Sequence, residues 1–527
     1  MTRIHLAAFM LACFSSPAPM LHADEPVPHR WPPRLLLNSD CGTPVFYKFD
    51  APMSESQLCR VVNDLPGTQV DAFLPCPQFS DDQFWFPTRV GEPYDGRHVQ
   101  DDRFEDRNFK RVADHVRSLN ERGIDPMRVW QRRARGLGLL FVPSLRMNDV
   151  HKDYVDRWPS LRSHWETQRK HLLIGEAIPA WYKHPYTFSW AMDYAHEEVR
   201  RRKLDIITEI CTRYEVDGFD LDFLRHVYYF RRGQEADGAE LMNEFVRSVR
   251  KRLDEIGEAK GKRLRLLVRV PPQIHQCERI GLDVSTWIRS GWVDMVTAMA
   301  PGYLDMDADI ASFADLANGT GCVIAGGLEY YVRGYKKTDK EKSTSLATLQ
   351  MLRAGAASFW AQGASSIYLF NYDCHGPFPF RGQKRQALME VGDPARLAGR
   401  DKRYLVTVDM EVRTPEEGGD KQLPVTLDEK HDRRALHVFV ADDPASARAR
   451  GSTVLVQLTV TGTGVRNLQV SINGSNAEPA ERSDSRLLFR SPPVVWGRNT
   501  VELRRVPDAT GADSRVTGVD LQVRYPA

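Results

Sequence analysis

Short apolar runs rich in β-branched residues alternate with amphipathic stretches between residues 34 and 371. Stretches such as 197–214 and 239–257 repeat apolar residues at intervals of three and four, which predicts helices. Strand and helix patterns that alternate in this way are typical of a parallel sheet covered by helices. The eight apolar runs are 34–40, 70–76, 137–147, 216–223, 264–270, 293–299, 322–329 and 365–371.

Eight strand–helix units predict an α/β fold, namely a (β/α)8 barrel of the TIM type over residues 30–400. The alternative is a doubly wound open sheet. It is disfavoured because no glycine-rich nucleotide-binding turn follows the first run.

The hydrophobic pattern changes after residue 390. Apolar and polar residues then alternate with period two, as in 436–441, 452–462 and 519–525, which predicts strands with one buried face. We therefore expect residues 404–527 to form a separate, jelly-roll-like β-sandwich that follows the barrel and contains no catalytic residue.

Composition narrows the partners and the location. The 527 residues include 72 Lys and Arg against 70 Asp and Glu, for a formal net charge of +2, so no field that would attract nucleic acid is expected. Arg3, an apolar run and the small residue Ala23 resemble a signal peptide spanning 1–23. We expect a secreted or periplasmic protein without a membrane span, and lipoprotein anchoring at Cys13 is the alternative.

The strongest local motif is VDGFDLDFLRH, residues 216–226, on the predicted fourth strand. Because side chains alternate along a strand, Gly218, Asp220 and Asp222 share one face, and acids near the C-terminal end of a barrel strand point into the substrate site. Two close carboxyl groups raise each other's pKa, and Arg225 and His226 follow as counter-charges. Asp222 is therefore the first candidate for a catalytic residue, with Asp220 as the neighbour that tunes it.

This motif resembles the fourth-strand DGxDxDxE pattern of the family 18 chitinases. Asp217, Asp220 and Asp222 match the acids of that pattern, whereas Leu224 occupies the place of its catalytic Glu. The resemblance implies a barrel that acts on glycans, in which the catalytic Glu of the chitinases is absent.

The motif is also similar to that of the α-amylase family, where Asp222 falls on the nucleophile and Arg225-His226 on a Lys-His pair, while Asp220 replaces an Arg. It is most similar to the glycosyl-hydrolase-like proteins related to family 10, whose fourth strand reads roughly GVDGIHLDYIRY. Asp222 and Arg225 align with the Asp and Arg of that string, and the order of segments from 34 to about 400 is similar. These resemblances imply an essential acid at Asp222.

Glu329 ends the seventh run and is the expected partner of Asp222. Ala325, Gly327 and Glu329 share one face, and acids on the fourth and seventh strands face each other across a barrel mouth. A role as a hydroxyl ligand or ion-pair partner is the alternative for Glu329.

Further polar residues at the ends of the predicted strands suggest a ring of substrate-binding groups. Arginines there supply forked donors to hydroxyls or to acidic substituents. A metal site formed by Asp149, His151, Asp373 and His375 is an alternative without support from a zinc-binding helix motif, so neither a metal nor another cofactor is expected. The ring comprises Asn38, Asp40, Arg146, Asn148, Asp149, His151, Arg225, His226, Arg269, Asn371, Asp373 and His375.

Together these patterns predict a secreted glycoside hydrolase that cleaves a poly- or oligosaccharide by carboxylate catalysis. A non-catalytic glycan-binding barrel and a metal-dependent hydrolase are the alternatives. For the sandwich, carbohydrate binding and a purely structural role both stay open.

Overall fold

The computed structural model describes residues 30–96, 104–151, 159–175, 188–333, 344–374, 379–406, 422–506 and 513–526. The expected leader with Cys13 and the candidate His375 lie outside these ranges. Within them, no helix is both long and apolar enough to cross a membrane.

Each of the eight predicted runs contains at least one strand. The third run contains two short strands, because Val142 and Pro143 interrupt it and proline has no N–H for a ladder hydrogen bond. The strands are β1 (Leu35–Ser39), β2 (Val70–Pro75), β3 (Gln78–Ser80), β4 (Gln83–Phe84), β5 (Glu92–Pro93), β6 (Leu140–Phe141), β7 (Ser144–Arg146), β8 (Gly218–Asp222), β9 (Arg265–Val270), β10 (Met295–Ala298), β11 (Val323–Leu328), β12 (Tyr331–Arg333), β13 (Thr344–Leu346) and β14 (Ser366–Phe370).

Nine of these strands form one parallel sheet in the order β6-β2-β1-β14-β11-β10-β9-β8-β7. Both ends of this row come from the third run. Two backbone hydrogen bonds link that run to the fourth, since Asp217 N donates to Phe141 O and Asp220 N donates to Pro143 O, each at 2.9 Å. The curled sheet is consistent with a TIM-type barrel.

Amphipathic helices follow most of the parallel strands, as the spacing of apolar residues predicts. In α6 and α7 the buried residues recur at three and four positions and face the sheet. The helices are α1 (Glu55–Leu58), α2 (Arg60–Asn63), α3 (Phe104–Glu121), α4 (Pro126–Arg135), α5 (His164–Thr167), α6 (Glu197–Arg213), α7 (Glu235–Ala259), α8 (Ile274–Arg279), α9 (Val284–Arg289), α10 (Ile310–Ala317), α11 (Leu349–Ala361), α12 (Gly382–Leu388), α13 (Pro394–Leu397) and α14 (Pro444–Ala449).

The C-terminal part consists of antiparallel sheets. One sheet has the order β15-β24-β18-β22-β21, with β16 beside β24, and the other has the order β17-β23-β19-β20. The strands are β15 (Lys402–Leu405), β16 (Val425–Leu427), β17 (Arg433–Val440), β18 (Leu455–Thr463), β19 (Leu468–Ile472), β20 (Ser475–Ala477), β21 (Glu481–Arg482), β22 (Arg486–Arg490), β23 (Gly497–Arg505) and β24 (Ser514–Arg524). Burial alternates along β23, as the period-two pattern predicts.

A buried polar cluster lies within the C-terminal part. The Asp442 carboxylate accepts hydrogen bonds from Lys402 Nζ at 2.8 Å, Tyr404 OH at 2.6 Å and Tyr525 OH at 2.8 Å.

The parallel-sheet part contacts the C-terminal part through α11, whose Ser358 hydroxyl donates to Phe439 O at 3.3 Å. The antiparallel sheets are therefore packed against the barrel-like part.

Asp294 anchors the N-terminal ends of two strands. Its carboxylate pairs with Arg250 at 3.0 Å and with Arg265 at 2.9 Å, and it accepts the Leu266 N–H at 2.9 Å. We expect Asp294→Ala to lower the free energy of unfolding by about 3 kcal/mol, because it leaves the buried Arg250 guanidinium short of a partner. Urea unfolding followed by circular dichroism measures this loss.

The matched control is Asp254→Ala, which removes the other carboxylate partner of Arg250. Asp254 is 53% exposed, so its loss should cost less than about 1 kcal/mol. Equal losses for the two variants would contradict the anchoring role of Asp294.

Candidate active site

A cavity of about 270 Å³ lies where the parallel strands end. Active sites of TIM-type barrels are built from the loops at this end. Five of the residues that the sequence singled out line it, from loops or strand ends of the first, third, fourth and eighth runs: Asp40, Arg146, His151, Arg225 and Asn371. The other lining residues are Gly42, Thr43, Tyr47, Gln78, Phe79, Trp85, Asn108, Phe109 and Leu161.

The position of Arg146 depends on a side-chain amide. Arg146 is the last residue of β7. On the side where β2 has already ended, the backbone of Arg146 pairs with the side chain of Gln78. Gln78 Oε1 accepts the Arg146 N–H at 2.7 Å, and Gln78 Nε2 donates to Arg146 O at 3.2 Å. The amide thus occupies the place of the missing strand neighbour.

A chain of polar contacts joins three cavity residues, which we call the basic wall: Arg146, His151 and Arg225. Arg146 Nη1 donates to Asp149 Oδ2 at 2.8 Å, and Asp149 Oδ1 contacts His151 Nδ1. His151 Nε2 lies 2.5 Å from Arg225 Nη2. Since a carboxylate only accepts, the His151 proton is assigned to Nδ1, and Nε2 accepts from the guanidinium.

The pKa shifts in the basic wall agree with this assignment. Burial works against ionisation of Asp149, but the nearby His151 and Arg146 hold its pKa well below the usual range. Burial lowers the pKa of His151, and Arg225 lowers it further against the opposing effect of Asp149. His151 is therefore neutral at pH 7, and the two guanidinium groups carry the positive charge of the wall.

Two acids, which we call the rim carboxyls, follow the first and eighth parallel strands: Asp40 after β1 and Asp373 after β14. Asp40 is partly exposed and lines the cavity. Asp373 is buried behind it, and Ser39 Oγ donates to its Oδ2 at 2.5 Å. Burial and then the charge of Asp40 raise the pKa of Asp373 to about 7. Asp373 therefore keeps its proton over much of the range below neutral pH.

The backbone beside the rim carboxyls adopts an uncommon conformation. Cys41 has φ 57° and Asn371 has φ 47°, a left-handed region that non-glycine residues seldom occupy. The Asn371 N–H donates to Asn38 O at 3.0 Å, while its buried Oδ1 has no hydrogen-bond partner among the residues described. Such outliers cluster at ligand sites, which supports a binding role for Asn371.

Asp222 forms a buried ion pair with Arg269, and both side chains are 1% exposed. Arg269 Nε donates to Asp222 Oδ1 at 2.9 Å and Nη2 donates to Oδ2 at 2.8 Å. The guanidinium also lies 3.8 Å from the centre of the Phe370 ring. Neither residue lines the cavity. Both forked donors of Arg269 are thus directed at Asp222.

Asp220 lies on the same face of β8 as Asp222, as the alternation predicts, and is fully buried. Its Oδ2 accepts from Ser144 Oγ at 2.7 Å and from Tyr368 OH at 3.1 Å, whereas Oδ1 has no hydrogen-bond partner within the described ranges. Burial is the main cause that raises the pKa of Asp220 to about 6, and the charge of Asp222 adds to it.

The remaining candidates are buried away from the cavity lining. Asn148 Nδ2 donates to Met192 O at 3.1 Å and its Oδ1 accepts the Met192 N–H, so it ties two loops together. His226 Nδ1 accepts the Val150 N–H at 3.1 Å. Glu329 is 3% exposed and its Oε1 accepts the Tyr330 N–H at 2.9 Å.

Asp149, His151 and His226 offer ligand atoms within 4.8 Å of one another, a set that zinc accepts elsewhere. Asp149 contacts Arg146 and His151 contacts Arg225, however. Two guanidinium groups beside the cluster would repel a cation, and His226 Nδ1 is occupied by a backbone donor. These residues do not fit a metal ion well.

Aromatic lining is the part of the site that the sequence did not single out residue by residue. Trp85 lies in the FWFP segment, stacks on Phe46 at 4.4 Å and borders the cavity, while its neighbours Phe84 and Phe86 are buried in the core. Phe109 comes from α3, and no local pattern indicates which helix residue reaches the cavity. Cys41, Cys76 and Cys374, which follow β1, β2 and β14, are free thiols.

No protein-family model matches the sequence, and no curated protein matches it. Similar solved structures are an Anoxybacillus α-amylase (TM-score 0.41, 9% identity, 90% of this chain and 98% of that chain) and a Paenibacillus sp. chitinase (TM-score 0.40, 10% identity, 93% and 53%). A third is a cycloisomaltooligosaccharide glucanotransferase from Paenibacillus sp. (TM-score 0.35, 8% identity, 94% and 57%).

The chain thus spans little more than half the length of the chitinase and of the glucanotransferase. The activities in these names belong to those proteins. With TM-scores below 0.5, they are not transferred to this chain.

The Asp222–Arg269 pair allows a stability test. We expect Asp222→Asn to lower the free energy of unfolding by about 3 kcal/mol, because the Arg269 guanidinium keeps its charge in a buried place without a carboxylate. The double variant Asp222→Leu, Arg269→Met removes both charges and should lose less. Urea unfolding of the two variants and of the wild type measures the difference, and an unchanged Asp222→Asn midpoint would argue against a tightly coupled pair.

Proposed function

We propose that this protein is a glycoside hydrolase that cleaves a poly- or oligosaccharide bound at the C-terminal mouth of a closed (β/α)8 barrel. The observation that carries the proposal is the pair of rim carboxyls, of which Asp40 lines the cavity and Asp373 is buried close to Asp40. Hydrolysis of a glycosidic bond generally needs one carboxyl group that donates a proton and one that acts as base or nucleophile. Tyr47, a partly exposed aromatic residue of the lining, offers a face on which a sugar ring packs.

The two rim carboxyls are suited to different roles. Asp373, whose pKa is raised to about 7, still holds a proton near neutral pH and is the proposed proton donor. Asp40 lines the cavity and is the proposed base or nucleophile. A carboxyl group that keeps its proton near neutral pH, close to a second carboxyl group, is the usual sign of a general acid in such a pair.

The assignment of Asp222, Glu329 and Asp220 as catalytic residues, made from the sequence, stays a prediction. All three are buried and none lines the cavity, which is also true of Asp373. We propose that Asp222 and Asp220 support the site from beneath. Asp222 holds Arg269, and Asp220 joins β7 to β14 through Ser144 and Tyr368.

A glycan-binding barrel without hydrolytic activity is the second candidate. It is favoured by one observation, namely that Asp40 is the only acid among the described residues that line the cavity. Glycan binding without release of reducing ends, tested over a broad panel of oligosaccharides, would support this candidate against hydrolysis.

We also propose that the chain is exported, because residues 1–23 have the composition of a signal peptide. N-terminal sequencing of protein from the native host should find a chain that begins near Asp24. Recovery of the intact Met1 form from the cytoplasm would contradict export.

The rim carboxyls predict a pH profile. Because a general acid works only while protonated, and because the pKa of Asp373 is raised to about 7, kcat should fall as the pH rises through about 7. Asp373→Asn should lower kcat by about 100-fold or more and remove this alkaline limb, and Asp40→Asn should have a loss of similar size. Reducing-end release between pH 4 and pH 9 on the hydrolysed glycan measures both effects.

Asp114→Asn is the matched control, since Asp114 lies on the surface and pairs only with exposed Arg117 in the described part of the chain. It should leave the profile unchanged. If folded Asp222→Asn is inactive while Asp40→Asn and Asp373→Asn keep full activity, the catalytic role belongs to Asp222, as the sequence predicts, and not to the rim carboxyls.

A further inference from the structure

The guanidinium of Arg146 is only partly used by the protein. Arg146 is 7% exposed and borders the cavity. Within the described residues its side chain makes one hydrogen bond, from Nη1 to Asp149 Oδ2. A guanidinium carries five N–H donors in a planar fork, so the Nε and Nη2 donors are left without a protein acceptor there. The cavity that Arg146 borders is the place for an acceptor of these donors.

The cavity lining itself has an excess of positive charge. Among the residues that the structure describes, its charged side chains are Arg146, Arg225 and Asp40, because His151 is neutral at pH 7. Asp149 compensates part of this charge from behind the wall, where it is fully buried. It does not occupy the cavity, so a ligand group in the cavity meets the guanidinium groups directly.

Other residues of the cavity lining are aromatic, and this restricts the ligand further. Trp85, Phe79 and Phe109 supply aromatic surface to the same cavity. A ligand that satisfies both sides has an apolar C–H face and an oxyanion. A sugar residue that bears a carboxylate or sulfate has this combination.

We propose that the substrate is an acidic glycan, and that Arg146 is the residue that binds its carboxylate or sulfate group through the unused edge of the guanidinium. This inference rests on the proposed function, because it names the substrate class of the same site. Carboxylate and sulfate share the oxygen pair that a guanidinium fork recognises, so the shared chemistry is a bidentate oxyanion. A neutral hydroxyl would fill only one donor.

The planar fork of the guanidinium distinguishes bidentate binding of an oxyanion from simple attraction by a positive charge. Arg146→Lys keeps a positive charge near Asp149 but presents a point charge in place of two parallel donors. Arg146→Lys is therefore the informative variant, because it can keep the buried Asp149 paired while losing the fork. Arg146→Gln removes the charge as well and leaves Asp149 short of a partner.

The experiment compares matched glycans on the full-length protein. The probes are uronic-acid oligosaccharides, the same oligosaccharides after reduction of their carboxylates to alcohols, and sulfated oligosaccharides. Hydrolysis is followed by reducing-end release, and binding is followed by isothermal titration calorimetry with Asp373→Asn, which keeps the basic wall. Thermal unfolding of each variant checks that it is folded.

The expected result is a preference of about tenfold or more for an acidic oligosaccharide over its neutral counterpart, in KM or in Kd. Arg146→Lys should remove most of this preference by raising KM or Kd for the acidic oligosaccharide towards the value for its neutral counterpart. The control Arg117→Gln removes an exposed arginine that does not line the cavity, and should leave the preference unchanged. The uronic-acid and sulfated arms identify which oxyanion is bound, and a preference for either supports the proposal.

Two failures are distinguishable. Equal KM and Kd for the neutral glycans and for both the uronic-acid and the sulfated glycans, or an unchanged preference in folded Arg146→Lys, would overturn the acidic substrate while hydrolysis stands. Neither hydrolysis nor binding of any oligosaccharide, acidic or neutral, would overturn the proposed function together with this inference.

Discussion

The pairing of buried charges is the constraint on which the C-terminal half of the parallel sheet depends. A charge removed from water has to find a partner inside the protein, because desolvation alone costs several kcal/mol per ion. Asp222 forms an ion pair with Arg269, and Arg146 forms one with Asp149. The Asp222–Arg269 pair joins β8 to β9, and the Arg146–Asp149 pair lies within one segment at the end of β7, so the contacts that make the buried charges tolerable also position residues around the cavity.

These pairings also separate the polar residues into layers. The Asp222–Arg269 pair lies beneath the cavity lining, next to Asp220, and its donors and acceptors are directed at each other. The basic wall and Asp40 line the cavity. A polar residue near a strand end is therefore not automatically a ligand contact, since the pairing requirement decides whether its functional atoms face the protein or the cavity.

The sequence predicted the strands and many of the residues at the cavity, because both follow from alternation and from the position of strand ends. Each predicted run contains a strand, and Asp40, Arg146, His151, Arg225 and Asn371 all line the cavity. The sequence did not predict which residues form ion pairs with one another. The described ion-pair partner of Asp222 is Arg269 because the register of β8 and β9 sets these residues opposite each other, and register between strands leaves no trace in local pattern. Phe109 was missed for a related reason, since its approach to the cavity depends on how α3 is packed.

The side-chain amide of Gln78 stands where a strand would otherwise continue. A backbone neighbour would hold Arg146 whatever residue occupied its position, because main-chain groups are common to all amino acids. An amide at this place makes the alignment of β7 depend on the identity of one side chain, with an acceptor and a donor that an acid of equal size cannot both supply. The placement of the guanidinium is therefore adjustable through position 78, without any alteration of Arg146 or of the segment that bears it.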